Sequence, residues 1–170
     1  MSFDPGTCLV EIFKVAVAAA DPANCVPGNL PSPPKGRTIV VGAGKASAKM
    51  AKIVEENWTA KISGLVVTQY GYGIECKKIK IIEAAHPVPD FSGLKATQKI
   101  FKLAKSLKED DMMLALFSGG GSALLTMPAD QITLSDKQKI IKSLLYSGAS
   151  IAEINCIRKH LSKIKGGQLA

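Results

Sequence analysis

The chain has 170 residues, 46% hydrophobic and 21% charged, which suits one globular domain with enough chain to bury a core. Only 5% of the residues are aromatic, with a single tryptophan, and this argues against a ring-stacking platform for nucleic acid. Basic residues outnumber acidic ones by 22 to 14, a net charge of +8, and such a balance suits an anionic partner such as a nucleotide, a phosphosugar or an organic acid.

Residues 8–20 (CLVEIFKVAVAAA) carry apolar side chains at helical spacing, and Pro22 and Pro27 end the pattern. From 21 to 37 the chain is rich in Pro, Gly, Asn and Ser and reads as a loop. The run 38–42 (TIVVG) is β-branched and apolar, bounded by loop and glycine, and predicts a buried strand. A helix is expected directly after it, over 43–58. A second strand is expected at 64–68 (GLVVT), closed by Gly71-Tyr-Gly73. A third is expected at 80–84 (KIIEA), ending at HPVPD (86–90), where two prolines forbid a helix. Helical spacing returns over 92–107, with Asp90 placed to cap it. The apolar run 112–117 predicts a fourth strand, which feeds SGGGS (118–122). Further helices are expected at 133–146 and from the capping box Ser150…Glu153 to about Ile164, where Gly166-Gly167 stops the helix.

Strands that alternate with helices and are apolar on both faces predict an α/β fold. The expectation is a Rossmann-like sandwich, a mostly parallel sheet with helices on both faces. No apolar run approaches the roughly 20 residues of a membrane span, and the N-terminus lacks the basic region of a secretory signal. The four cysteines (Cys8, Cys25, Cys76, Cys156) are far apart with no CxxC, and there are two histidines. Reduced thiols in a cytoplasmic protein are expected, rather than a zinc site or a disulfide framework.

In open parallel sheets ligands bind at the carboxyl ends of strands, and each glycine-rich or titratable motif here follows a strand. In SGGGS, Gly119, Gly120 and Gly121 let backbone N–H groups approach an anion, and Ser118 and Ser122 add hydroxyls. No GK[ST] follows, so it is not a Walker A loop, and Leu124 breaks the GxSxG pattern of a nucleophile elbow. In GAGKAS (42–47) the dinucleotide fingerprint fails because Ser47 stands where the third glycine belongs. Lys45 in that turn can neutralise phosphate or carboxylate charge. His86 can donate to an oxyanion or move a proton, and Asp90 can orient a substrate or cap a helix. Asn155, Arg158, Lys159 and Ser162 share one helical face by spacing and suit a polyanion.

Taken together and in order, these motifs resemble the N-terminal part of the class II glycerate kinases, whose C-terminal domain is called MOFRL and whose members are often labelled hydroxypyruvate reductase. The matching stretches are VVGAGKASAKMA (40–51), EAAHPVPD (83–90), LFSGGGSALLTMPA (116–129) and the long run 132–170. The resemblance implies that D-glycerate is phosphorylated to 2-phosphoglycerate by ATP with Mg²⁺. It implies a two-domain enzyme in which residues 1–170 are the N-terminal part of the α/β domain. The MOFRL domain lies outside them, and the segment is expected to be inactive alone. It implies that Lys45 stands in the catalytic cleft and that the 118–122 loop lies beside the phosphates, with Asn155, Arg158, Lys159 and Lys165 facing them. Lys45 and Arg158 are then expected to stabilise charge on the transferring group or the glycerate carboxylate, and metal ligands stay unassigned. An NAD(P)H-dependent hydroxypyruvate reductase and a non-catalytic nucleotide-binding module remain as alternatives. The reductase reading lacks the third glycine and an acidic residue near position 68. An unfinished sheet edge would favour a homodimer.

Overall fold

The computed structural model describes residues 4–170. Helix α1 (Pro5–Ala19) starts at Asp4, whose carboxylate accepts the N–H groups of Gly6 and Thr7. The expected loop over 21–37 contains one helical turn, α2 (Pro22–Cys25), and a 3₁₀ turn at Pro27–Asn29. Each begins with a proline, whose fixed φ and missing N–H cost nothing at a helix start. Strand β1 (Thr38–Ala43) follows, then α3 (Ser47–Asn57), β2 (Ile62–Gln69), β3 (Ile79–Ala84), α4 (Phe91–Lys105), β4 (Met112–Phe117), the single turn α5 (Gly121–Leu124), α6 (Leu134–Tyr146) and α7 (Ile151–His160).

The four strands form one sheet in the order β3-β2-β1-β4, and every pair is parallel. Thr38 of β1 aligns with Ile62 of β2 and with Met112 of β4. Strand side chains alternate between faces, so the sheet builds two cores. On one face Ile39, Val41, Leu65 and Val67 pack with Ala96 and Ile100 of α4, Leu124 of α5 and Ile164 of the C-terminal segment. On the other, Val40, Val66, Ile79 and Leu116 pack with Ala51 and Val54 of α3 and with Trp58. The expected parallel sheet with helices on both faces is therefore present. Glu55 of α3 seats the start of β3: its buried carboxylate accepts the N–H groups of Lys77, Lys78 and Ile79 at 2.7, 2.6 and 3.0 Å.

Strands β1, β2 and β3 step to one side and β4 returns to the other side of β1. The order therefore reverses between β1 and β4, and in open α/β sheets ligands bind at the carboxyl ends of the strands at such a reversal. Both glycine-rich motifs lie at this point.

Three expectations need correction. The helix expected from residue 43 starts at Ser47, because β1 runs through Ala43 and a turn at Gly44 (φ +143°) intervenes. The helix expected to reach Ile164 stops at His160. The backbone of 161–163 is taken instead by the segment after α5: Ala129 N–H donates to the Leu161 carbonyl, Lys163 N–H donates to the Met127 carbonyl, and Ser162 bridges Pro128. Ser162 is consequently buried and leaves the face it was expected to share. Finally, α1 forms where its apolar spacing predicts it, yet none of its residues is buried; Leu9 is 67% and Phe13 69% exposed. No disulfide joins the four cysteines. Among the described residues no helix is long and apolar enough to cross a membrane.

Candidate functional site

The turn after β1 and the loop after β4 are laced together by backbone and hydroxyl groups. Lys45 N–H donates to the Gly119 carbonyl at 2.9 Å, and Ser118 N–H donates to the Ala43 carbonyl at 3.2 Å. The Ser118 hydroxyl accepts the Ala46 N–H at 3.0 Å and lies 3.3 Å from the Ser47 hydroxyl, which itself donates to the Leu116 carbonyl. Ser118 thus serves as a staple between the loops. A Cβ on Gly44 would lie 2.1 Å from the Ser118 oxygen, so this contact requires glycine.

Within SGGGS, the Gly121 N–H turns back to the Ser118 carbonyl at 3.3 Å. The N–H groups of Gly119, Gly120 and Ser122 have no acceptor among the described residues. Gly120 takes φ +86°, and a Cβ there would fall 2.9 Å from His86 Nε2, so the imidazole packs directly against the loop. The His86 pKa is pushed down, first by burial and then by the charges of Lys45 and Arg158. A neutral imidazole in contact with the loop can donate one hydrogen bond to an anion.

Asp90 is occupied elsewhere. One carboxylate oxygen caps α4 at Gly93 N–H (2.9 Å) and the other accepts the Tyr70 hydroxyl (2.8 Å). It fixes the end of the 86–90 loop, as its position before a helix suggested.

Seven of the predicted residues, Ser118, Gly121, Ser122, Asn155, Arg158, Lys159 and Lys165, line one cleft of about 630 Å³, whereas Lys45, His86, Gly119 and Gly120 are not among its lining residues. Ser118, Gly121 and Ser122 form one wall, and Asn155, Arg158 and Lys159 of α7 form another. Lys165 with Gly166 and Gly167 closes an end, and Met113, Ala115 and Phe117 of β4 make an apolar side. Helix α7 is held by its capping box, in which the Ser150 hydroxyl accepts the Glu153 N–H and the Glu153 side chain accepts the Ser150 N–H. No Asp or Glu side chain is among the residues that line the cleft. Lys45, expected in the cleft, is exposed and is not one of its lining residues, but its charge reaches His86.

The cations here are poorly hydrated. Arg158 is half-buried, and burial lowers its pKa. Lys165 donates to the Leu125 carbonyl. Burial, with Lys137 and Arg158 nearby, pushes its pKa down to about 7. Lys137 of α6 is 2% exposed and donates to the Leu161 carbonyl at 3.1 Å. Burial and the charge of Arg158 push it down to about 8. Sequence reasoning missed Lys137. The available signal was its spacing, three residues after Leu134 and four before Ile141, on the inward face of α6. Arg158 thus lowers the proton affinity of both lysines, and Lys137 lowers that of Lys165. No group of three His, Cys, Asp or Glu that could hold a metal occurs among the described residues.

The fold and this cleft define a class: a parallel α/β domain with a cleft lined by basic residues beside β4. Residues 8–170 match the family described as domain of unknown function DUF4147, and the chain belongs to it. The chain is 53% identical over 163 residues to an Agrobacterium vitis protein with the provisional name hydroxypyruvate reductase, covering 95% of this chain and 37% of that one. It is 43% identical over 173 residues to the D-glycerate 2-kinase of Thermotoga maritima, covering 99% of this chain and 42% of that one. The crystal structure of a Thermotoga maritima glycerate kinase superimposes with a TM-score of 0.81 at 42% identity, over 94% of this chain and 39% of that one. The chain therefore spans about two fifths of the length of these relatives.

Proposed function

We propose that the cleft holds the phosphates of ATP and that the protein carrying this domain transfers a phosphoryl group to D-glycerate, giving 2-phosphoglycerate. The observation that carries the reading is the pair Arg158 and Lys165 lining one cleft with Ser118, Gly121 and Ser122 of the glycine loop, with no Asp or Glu side chain among the lining residues. Phosphoryl transfer depends on positioning and on neutralising charge spread over the transferring oxygens. The loop N–H groups hold phosphate oxygens, and Arg158 and Lys165 offset their charge. Lys159 and Lys45 add cations at the rim. Asn155 supplies an amide for a hydroxyl or carboxylate of the acceptor, and neutral His86 donates from the other side of the loop. The kinase names of the relatives support the choice of acceptor.

Mg²⁺ accompanies ATP in such reactions and would supply further neutralisation of phosphate charge. Among the described residues no group of three His, Cys, Asp or Glu could hold the ion by itself.

The name of the Agrobacterium vitis relative favours a reductase as the second reading. Two features weigh against it. Ser47 replaces the third glycine of the dinucleotide fingerprint and is buried against the Leu116 carbonyl. The residues that end β2, Thr68 and Gln69, provide no carboxylate for a ribose. Calorimetric titration separates the two readings. ATP and inorganic tripolyphosphate should bind competitively at one site and NADH should not. NADH binding together with hydroxypyruvate-dependent NADH oxidation would overturn the kinase reading.

A further inference from the structure

Two neighbouring residues of α6 reach both sides of the site although neither lines the cleft. Lys137 Nζ donates to the carbonyl of Leu161, the residue that ends α7. From Leu161 the chain runs through Ile164, packed in the core, to Lys165 at the cleft. Gln138 Nε2 donates to the carbonyl of Pro89 at 2.7 Å. Pro89 is buried and lies three residues beyond His86 in the stiff 86–90 loop. Both bonds join segments distant in sequence, so neither belongs to the helix's own hydrogen-bonding.

Little else holds α6 in place. Its buried residues are Lys137 and Ile141. A lysine is a costly choice for such a position, because a buried ammonium with one carbonyl acceptor loses most of its hydration. The charged groups that face it are the cations Arg158 of α7 and Lys165 of the C-terminal segment. Packing alone would be served as well by Leu or Met. The lysine is better explained by where its bond acts: it fixes the carbonyl at which the chain leaves α7 and turns toward Lys165.

We infer that Lys137 and Gln138 are positioning residues, one turn of α6 that holds the Leu161–Lys165 turn and the 86–90 loop at a fixed spacing on either side of the glycine loop. The inference rests on the anion-site reading above for its functional meaning, but its structural content is independent of any ligand. Misplacing one wall of a charged site by about 1 Å is enough to cost about 10- to 100-fold.

The test uses Lys137→Met, which keeps the length and removes the ammonium, together with Lys137→Arg and Gln138→Met. Two readouts are taken at 25 °C: tripolyphosphate affinity by calorimetry, and amide hydrogen exchange by segment. Lys137→Met should weaken binding about 10-fold or more and speed exchange over 161–165. Lys137→Arg should recover most of the affinity. Gln138→Met should speed exchange over 86–90 and weaken binding by a smaller factor. Variants that change only the melting temperature, with affinity and exchange in these two segments unchanged, would overturn the inference. If the unsubstituted chain binds no tripolyphosphate, the anion-site reading fails, and the exchange data alone decide whether the clamp exists.

Discussion

Replacing Lys165 by Met should make the domain more stable and less able to bind polyphosphate. Burial and two neighbouring cations push the Lys165 pKa from 10.5 to about 7. At about 1.4 kcal/mol per pH unit, holding this side chain charged below pH 7 costs on the order of 5 kcal/mol. The bond to the Leu125 carbonyl returns about 1–3 kcal/mol. Met at 165 should therefore gain about 2–4 kcal/mol near pH 6. The sign with pH is fixed by the direction of the shift. The folded-state pKa lies below the unfolded one, so between about pH 7 and 10.5 the unfolded chain binds more protons. Stability of the unsubstituted chain rises with pH through that window, and below it the penalty is complete and constant. The advantage of Lys165→Met should shrink toward zero by pH 10. Lys137, pushed down to about 8, leaves a smaller rise in both proteins. Urea unfolding followed by circular dichroism at pH 6, 8 and 10 measures the difference, and tripolyphosphate calorimetry measures the loss of binding. A variant less stable than the parent at pH 6, or an advantage that stays the same at pH 10, would refute the electrostatic reasoning.

Lys45→Ala and Arg158→Met, made in the catalytically competent protein, should each lower glycerate-dependent turnover by about 100-fold or more, the usual cost of losing a donor that acts on transition-state charge. Steady-state kinetics check this. Gly120→Ala should cost about 1–3 kcal/mol, because φ is +86° and the new Cβ meets the His86 ring; a displaced His86 ring resonance should accompany the lower melting temperature. Glu55→Gln should destabilise the chain by about 2–4 kcal/mol at pH 7, since its carboxylate is buried under three backbone donors. Burial raises the Glu55 pKa and those donors outweigh it, so the net shift is downward. Its stabilising contribution is present above the unfolded pKa near 4.5 and fades as pH falls through the lower folded-state value. Acid unfolding of the variant should lack that component.

The strands were legible because each contains a short, largely apolar run: β1 is buried throughout and closed by Gly44, whereas β4 reads the same way although, at the sheet edge, its Phe117 is 50% exposed. Their order was not legible, since no local signal says that β4 returns beside β1. Yet that return brings Lys45 and Ser118 together. The C-terminal limit of α7 was misread for a similar reason: residues 161–164 keep helical spacing, but backbone pairing with 127–129 takes them out of the helix. Arg158, Lys159 and Lys165 could be marked from the sequence as cations near a glycine-rich end. Lys137 could not be told from a solvent-facing lysine, because its burial depends on the tertiary position of Leu161. Asp90 carried two readings in the sequence, and the hydrogen bonds at both of its oxygens favour the cap. The apolar residues of α1 predicted a helix correctly, but the sequence held no sign that its apolar surface would stay exposed.

The central claim is that this cleft serves phosphoryl transfer to D-glycerate. Its most direct test follows ³¹P resonances after mixing Mg-ATP and D-glycerate with this chain, and with this chain joined to the remaining segment of the Thermotoga maritima glycerate 2-kinase. The account predicts ADP and 2-phosphoglycerate in equal amounts from the joined protein, abolished by Arg158→Met. ATP left intact in both mixtures, with NADH consumed on adding hydroxypyruvate, would contradict it.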